Sequence, residues 1–325
     1  MRIIIYGAGA IGCVVGGHLA RIGHEVTLIG RPGQVKAIQE NGLRFVTPIG
    51  TFILNLPAFT SPTEIKFRPD DVVFLSMKGQ NTADALCDLH AVAEDVPIFC
   101  LQNGVRNEET AARYFKKVYG VMVRLGALYL KDGEVFARRD PPGWLVMGCY
   151  PKGTDELVET VAANLRAASL LVKVTPDVMP YKWGKLTVNL ANAVTAITDV
   201  VGNDIESIVQ SARQEAREIM TQAGIHWVSP EQVAQEWPEI AVPPRSTLPD
   251  VESGSSAWQS LSRGQGTIET DFFNGEIVRQ AKQLGHKAPI NETLVRISQE
   301  MAANREPPGK YTPAQLSALL GLEQS

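Results

Sequence analysis

The chain has 325 residues, enough for two domains with substantial cores. With 44% apolar and 20% charged residues and a formal net charge of −4, it has the balance of a globular protein and lacks the basic excess that would point to nucleic acid or an acidic membrane. The cysteines Cys13, Cys87, Cys100 and Cys149 are scattered without CxxC spacing and read as free thiols, and His18, His24, His90, His226 and His286 form no metal-ligand spacing, so no metal is expected.

The apolar start, Ile3-Ile4-Ile5, is β-branched and contiguous, as suits a strand buried on both faces of a parallel sheet. It is too short for a secretory signal, and no stretch of about twenty apolar residues follows that would span a bilayer, so a soluble cytoplasmic protein is expected. Gly7-Ala8-Gly9-Ala10-Ile11-Gly12 comes directly after the strand, a helix opens inside it and runs to Ala20, and a second apolar strand follows at Val26–Ile29. Strand, GxGxxG, helix and strand in this order are the context of a dinucleotide site. The first glycine permits the tight turn, the second lets backbone approach a pyrophosphate, and the third lets the helix pack on the strand. Free N–H groups and the dipole at the helix start favour the phosphates. An NAD site usually carries an acid near the end of the second strand. No acid lies between Val26 and Val35, and Arg31 offers a guanidinium suited to a 2′-phosphate. The expected cofactor is NADP(H).

Further along, Gln34–Glu40 fits a short helix, and Leu43–Val46 with Thr51–Leu56 reads as an inserted β-hairpin. Val72–Leu75 is a buried strand followed by Lys78, Thr82–Ala93 is helical, and Pro97–Leu101 is a strand followed by Gln102-Asn103-Gly104. Ligands of open α/β sheets bind beyond the carboxyl ends of strands. Lys78 therefore sits where it can reach a phosphate or ribose, and Asn103 where it can reach ribose, nicotinamide or substrate. From position alone each also reads as a solvated turn residue. Val118–Val123, Ala127–Leu130, Glu134–Ala137 and Trp144–Met147 are strand-like, with a hairpin turn at Lys131-Asp132-Gly133, and read as an antiparallel or mixed extension of the sheet. Asp155–Ala168 is helical and Leu170–Val174 is a last strand.

Beyond residue 175 the pattern changes to helical spacing. Asp177–Thr198 reads as one long helix, followed by Ile205–Ala223, Pro230–Gln235, Ala257–Leu261, Thr270–Leu284 and Ile290–Ala303. Pro238–Pro249 holds four prolines and reads as an extended connection, and the tail from Pro307 as surface chain. The expected architecture is an α/β Rossmann-type dinucleotide-binding domain over 1–175 and an all-α domain over 176–325. Lys185 and Asn189 share a face of the long helix, with Asn192 roughly in line. Taken alone, Lys185 also reads as a side chain that buries its stem and solvates its amine.

Several pieces in order carry a resemblance: the glycine motif with Arg31, Lys78 after a buried strand, Gln102-Asn103-Gly104, Trp183-Gly184-Lys185 with Asn189, Gly202-Asn203-Asp204, Ser256 to Gln259, and Ile268-Glu269 with Asp271 to Gly275. Over nearly its whole length the chain resembles the ketopantoate reductase family. The resemblance implies an active site between a Rossmann and a helical domain, Lys185 as catalytic lysine and Glu269 as active-site glutamate. It also implies Asn103, Asn189 and Asn203 as contacts to substrate or cofactor, and Ser256 as a ligand of the substrate carboxylate. The family commonly has asparagine eight positions after the lysine; here that position is Ala193, and Asn192 stands one residue earlier, about 100° away on a helix.

The implied reaction is NADPH-dependent reduction of a 2-oxo acid, 2-dehydropantoate to pantoate in pantothenate biosynthesis. A related dehydrogenase acting on another 2-oxo or 2-hydroxy acid or an opine, or an NADPH-binding regulator without turnover, remain alternatives. The resemblance is compatible with a homodimer.

Overall fold

Ile3, Ile4 and Ile5 are fully buried, and successive side chains enter different cores. Ile3 and Ile5 pack with Val14, Leu19 and Leu28, and Ile4 with Val73, Leu75, Leu86 and Leu89. Each such burial contributes about 1.5–3 kcal/mol relative to exposure, so one strand fastens layers on both of its faces. In a computed structural model of the chain, residues 1–248 and 254–322 are described.

The order begins β1 (Arg2–Tyr6), α1 (Ala10–Arg21), β2 (Val26–Ile29) and α2 (Pro32–Asn41). It continues with β3 (Leu43–Thr47), β4 (Gly50–Leu54), β5 (Ala58–Phe59), β6 (Asp71–Leu75), α3 (Thr82–His90), β7 (Ile98–Cys100) and α4 (Asn107–Ala112). Then come β8 (Val118–Leu125), β9 (Ala127–Leu128), β10 (Glu134–Ala137), β11 (Arg139–Asp140), β12 (Gly143–Cys149), α5 (Glu156–Ala167) and β13 (Leu171–Val174). Among the described residues the main sheet has the order β13-β12-β8-β7-β6-β1-β2-β5. Its neighbours are parallel except for β12, which runs antiparallel to β8. The carboxyl ends of β1, β2, β6 and β7 therefore lie on one edge, as in a doubly wound fold.

The stretch after β8 departs from the expected extension. β9 and β10 do form the hairpin, but they join β3 and β4 in a separate sheet of order β4-β3-β10-β9. Val135, Ala137 and Phe45 from this sheet are buried in the same core as α1 residues Val14 and Leu19, so it covers a helix rather than widening the main sheet.

The helices that follow are α6 (Met179–Asn189), α7 (Ala191–Thr198), α8 (Glu206–Gln222) and α9 (Pro230–Glu236). A last strand, β14 (Ser246–Thr247), precedes α10 (Ser256–Ser262), α11 (Asn274–Gln283), α12 (Pro289–Ala303) and α13 (Pro313–Leu319). Contacts divide the chain into two compact units. The first is Met1–Lys182 with the described part of Ser229–Val251, and the second is Trp183–Val228 with the described part of Glu252–Ser325. The division falls inside α6 rather than at 175, and the segment from Ser229 rejoins the first unit instead of the helical one. Its anchor is β14, which pairs with β11 through Ser246↔Asp140 and Thr247↔Arg139. The expected Pro238–Pro249 connection thus carries a strand; Pro249 itself lies outside the described residues.

In the second unit, Val194, Ile197, Ile208, Leu294, Met301 and Leu316 form a buried core. The expected single helix over 177–198 starts at Met179 and is divided at Leu190 into α6 and α7. The Asn274 side-chain amide is inserted against the Leu190 carbonyl at 3.4 Å, the kind of insertion that interrupts a helical ladder. Asn274 also donates to Asn291 Oδ1, and Asn291 in turn donates to Ala212 and Glu215. The expected Thr270–Leu284 helix is likewise divided, into a short 3₁₀ turn at Glu269–Phe272 and α11. The tail from Pro307 contains α13, opened by a capping box between Thr312 and Gln315.

Candidate functional site

The glycine turn is built by its neighbours. Gly7 has φ +114°, open to glycine but costly for other residues, and a Cβ there would collide with the Met77 backbone. Ser76 Oγ donates to the Gly7 carbonyl at 2.8 Å. A Cβ on Gly12 would fall 2.6 Å from the Gly7 carbonyl and from Ile5 Cγ2, so the helix sits directly on the strand and the turn. Gly9 differs: nothing lies within 4 Å of its Cβ position. Gly9 caps α1 without a side chain, and helix geometry leaves the N–H groups of Ala10, Ile11 and Gly12 without acceptors inside the helix. Open space beside a backbone that presents N–H donors at a helix start is the cradle a pyrophosphate requires, so these residues fit a dinucleotide.

Arg31 is the exposed, extended residue that caps α2. Its surroundings include a residue the local sequence does not show. The β9–β10 hairpin places the Asp132 carboxylate against Gly33 in the first turn of α2, where a Cβ would strike it. Tyr129 Oη donates to Asp132. The hairpin is fastened by Gln34, which accepts from Gly133 N at 2.6 Å and donates to the Ala8 carbonyl at 3.1 Å. An acid therefore does stand at the end of β2, delivered from about a hundred residues away (Gln34 to Gly133, separation 99).

Lys78 is half-buried just past β6, and Asn103 half-buried past β7. The loop of Asn103 is held from behind. Gln102 Nε2 donates to the Met77 carbonyl at 3.1 Å and to Thr82 Oγ1 at 2.7 Å, Thr82 Oγ1 donates to Asn107 Oδ1 at 2.9 Å, and Asn107 Nδ2 donates to the Asn103 carbonyl at 2.9 Å. Gly7 to Gly12, Arg31, Lys78 and Asn103 thus gather on the carboxyl edge of four adjacent parallel strands.

In the second unit, Lys185 and Asn189 lie one turn apart on α6, half-buried and buried respectively. Gly184 between Trp183 and Lys185 has no room for a Cβ, because the Val228 carbonyl packs against its backbone. The Asn189 amide is 5% exposed, and its Nδ2 has no hydrogen-bond partner among the described residues. Asn192, on α7, donates to Ser256 Oγ at 3.3 Å. Ser255 was not singled out in the sequence; it caps α10 by accepting from Trp258 N and shares a hydrogen bond with Thr195 Oγ1 at 2.8 Å. That leaves the Ser256 hydroxyl to Asn192. The signal was a Ser-Ser pair at a helix start. Glu269 is half-buried and opens the 3₁₀ turn Glu269–Phe272, and Asn203 is exposed and opens another at Asn203–Ile205. Among the described residues, no three His, Cys, Asp or Glu side chains are grouped to hold a metal ion. Nor is any helix among them long and apolar enough to cross a membrane.

Comparison with known proteins places this geometry. Residues 3–152 match the family model of ketopantoate reductase PanE/ApbA, and residues 177–302 match that of its C-terminal region. A 2-dehydropantoate 2-reductase of Pyrococcus horikoshii is 35% identical over 303 residues, covering 90% of this chain and 95% of the relative. One from Archaeoglobus fulgidus is 29% identical over 304 residues, covering 91% and 96%. Among solved structures, a PanE/ApbA family ketopantoate reductase from Ralstonia eutropha JMP134 superposes with a TM-score of 0.79 at 28% identity, over 94% of this chain and 99% of the other. D-mandelate dehydrogenase, solved with NADH and anilino(oxo)acetate, superposes with a TM-score of 0.77 at 23% identity, over 94% and 99%, a likeness of fold. On this breadth of agreement, running through both halves of the chain, the protein belongs to the ketopantoate reductase family of oxidoreductases.

Proposed function

We propose that this chain reduces a 2-oxo acid to the 2-hydroxy acid with NADPH, and that the substrate is 2-dehydropantoate, yielding pantoate for pantothenate biosynthesis. The observation that carries the reading is Asn189. A buried amide with an open donor is rare unless a partner is supplied from elsewhere, and this one stands one turn from Lys185. A substrate oxygen supplies the missing acceptor. The relatives named 2-dehydropantoate 2-reductase support the choice of substrate.

When bound at the Gly7–Gly12 turn, NADPH supplies the hydride. The chain's own groups do the rest. Ala10, Ile11 and Gly12 present N–H donors to the pyrophosphate, and Lys78 and Asn103 contact the cofactor on the same sheet edge, Asn103 also reaching substrate. Lys185 donates a hydrogen bond to the keto oxygen and passes it a proton as negative charge develops there. Glu269 orients the Lys185 ammonium or accepts from a substrate hydroxyl. Ser256, with Asn192 donating to it, and Asn189 and Asn203 hold the carboxylate and hydroxyl groups, which fixes the carbonyl for attack. The reading is of a cytoplasmic enzyme acting on a small 2-oxo acid without metal, membrane or nucleic acid, and it is compatible with a homodimer.

The test is NADPH oxidation followed at 340 nm with 2-dehydropantoate beside a panel of 2-oxo acids. Selective turnover of 2-dehydropantoate is the expected result. The Asn192 departure favours one second reading, the same chemistry on a different 2-oxo acid, which a better substrate in the panel would establish. Tight NADPH binding with no oxidation across the panel would overturn the enzymatic reading in favour of a regulator.

Cofactor choice rests on two opposed groups. Arg31 attracts a 2′-phosphate, whereas Asp132 repels it and suits the 2′-hydroxyl of NADH. With Arg31 on the exposed side we expect NADPH to be preferred. Arg31→Ala should weaken NADPH by about tenfold, some 1.4 kcal/mol, and leave NADH nearly unchanged in fluorescence titrations. Equal affinity of the unmodified chain for both cofactors would remove the NADP assignment.

A further inference from the structure

Lys182 and Glu108 form an ion pair that the proposed chemistry does not use. The two side chains are 2% and 0% exposed, and they lie 74 residues apart in sequence. Burying two charges is expensive and repaid only by good geometry, so such a pair is weak evidence for stability and invites another explanation. Its surroundings supply one. Besides Glu108, the Lys182 ammonium donates to the Gln102 carbonyl at 3.1 Å, the peptide that leads into Asn103. Glu108 stands in α4, beside Asn107, whose amide holds the Asn103 carbonyl. Lys182 therefore holds the start of the Asn103 loop, and Glu108, its partner, adjoins the residue that holds the Asn103 carbonyl. Burial pushes the Glu108 carboxyl up while the Lys182 ammonium opposes the shift. The second carboxylate oxygen of Glu108 has no partner among the described residues.

We propose that Lys182 is a positioning residue: compensated by Glu108, it fixes the Gln102 peptide and so sets Asn103 at the carboxyl end of β7 for its ligand. This rests on reading Asn103 as a ligand contact. Lys182 is also three residues before Lys185, inside α6, so the anchor and the candidate acid share one helix. A lysine is suited to the task because one ammonium serves both a carboxylate and a carbonyl.

The test is a double-mutant cycle in the full-length chain, with 2-dehydropantoate or the best acid of the panel. If nothing in the panel is turned over, NADPH affinity is the readout. Lys182→Met with Glu108→Leu exchanges the pair for apolar side chains, a replacement that buried pairs tolerate, and removes the donor to Gln102. The melting temperature should stay near that of the unmodified chain, while kcat/KM falls by about tenfold with its pH profile unmoved. Asn103→Ala should lower kcat/KM on its own, yet add less than about twofold in the Met/Leu background. Lys182→Gln with Glu108→Gln, which keeps a donor without the charges, should recover most of the loss. If the Met/Leu protein does not fold, Lys182→Met with Glu108→Gln carries the same cycle. Full additivity of the two losses overturns the positioning role and leaves Asn103 as a ligand contact. If Asn103→Ala changes neither kcat/KM nor NADPH affinity, the reading of Asn103 fails and the proposal with it.

Discussion

Lys185→Ala is expected to lower kcat by about 10²–10⁴-fold, the range for loss of a positioned general acid. NADPH affinity should change little, because the residues proposed to bind the cofactor, Gly7–Gly12, Arg31 and Lys78, belong to the first unit and Lys185 to the second. KM for the 2-oxo acid should rise less than kcat falls. On the proposed roles, Asn189, Asn192 and Ser256 would still bind the ground state, whereas Lys185 would act on charge that appears as the carbonyl is reduced. Single-turnover NADPH oxidation and a separate NADPH titration distinguish these effects. An unchanged kcat would reject Lys185 as the acid; a parallel loss of NADPH affinity would make it a cofactor contact. Lys185→Arg is the sharper control, since guanidinium keeps the positive charge but gives up no proton at working pH. It should retain substrate binding and remain slow.

How much of this was legible in the chain differs between the two units. The Rossmann half announces itself because its signals are local. Three contiguous isoleucines, a glycine turn and a helix lie within the first twenty-odd residues, and each strand end can be read where an apolar run stops. What failed there was long-range. Nothing near Glu134–Ala137 says that it pairs with Leu43–Thr47 in a second sheet, and Asp132 reaches the first turn of α2 only through that pairing. In the helical half, the apolar stripe through Leu186, Leu190 and Val194 predicted one helix because periodicity continues across the junction. The division at Leu190 is marked by Asn274, 84 residues later, which no window of local sequence contains. The same holds for Ser229 onward, which returns to the first unit through a two-residue strand too short to show a period. Of the site residues, those in the glycine motif could be argued from spacing. Lys185 and Asn189 could be aligned on one helix face but not distinguished from a solvated stripe. The meeting of Asn192 with Ser256 depends on α7 and α10 being neighbours, which is tertiary information.

Gly9→Ala should abolish most NADPH affinity while leaving the apo fold intact, and that separation makes it the most informative change in the glycine turn. Gly9 sits at φ −96° and ψ −160°, a conformation open to any L-residue, and nothing lies within 4 Å of the position of its Cβ. A methyl group there meets no part of the protein. The cost to the free chain is the loss of a tolerated helix cap, about 1 kcal/mol or less. With dinucleotide bound, the same methyl stands where backbone must approach phosphate. Two charge-assisted N–H bonds, worth about 1.5–3 kcal/mol each, would lengthen or break, a loss on the order of 10²–10⁴ in affinity. Gly12→Ala gives the contrasting result. Its Cβ would press on the Gly7 carbonyl and Ile5 Cγ2 whether or not ligand is present, so it should cost about 1–3 kcal/mol of apo stability. Apo melting curves and NADPH titrations of the two variants thus yield opposite pairs of outcomes. If Gly9→Ala binds NADPH as the unmodified chain does, the open space beside Gly9 is not the pyrophosphate cradle. If it instead unfolds without ligand, the shape of the turn serves packing alone, and the dinucleotide assignment must rest on other residues.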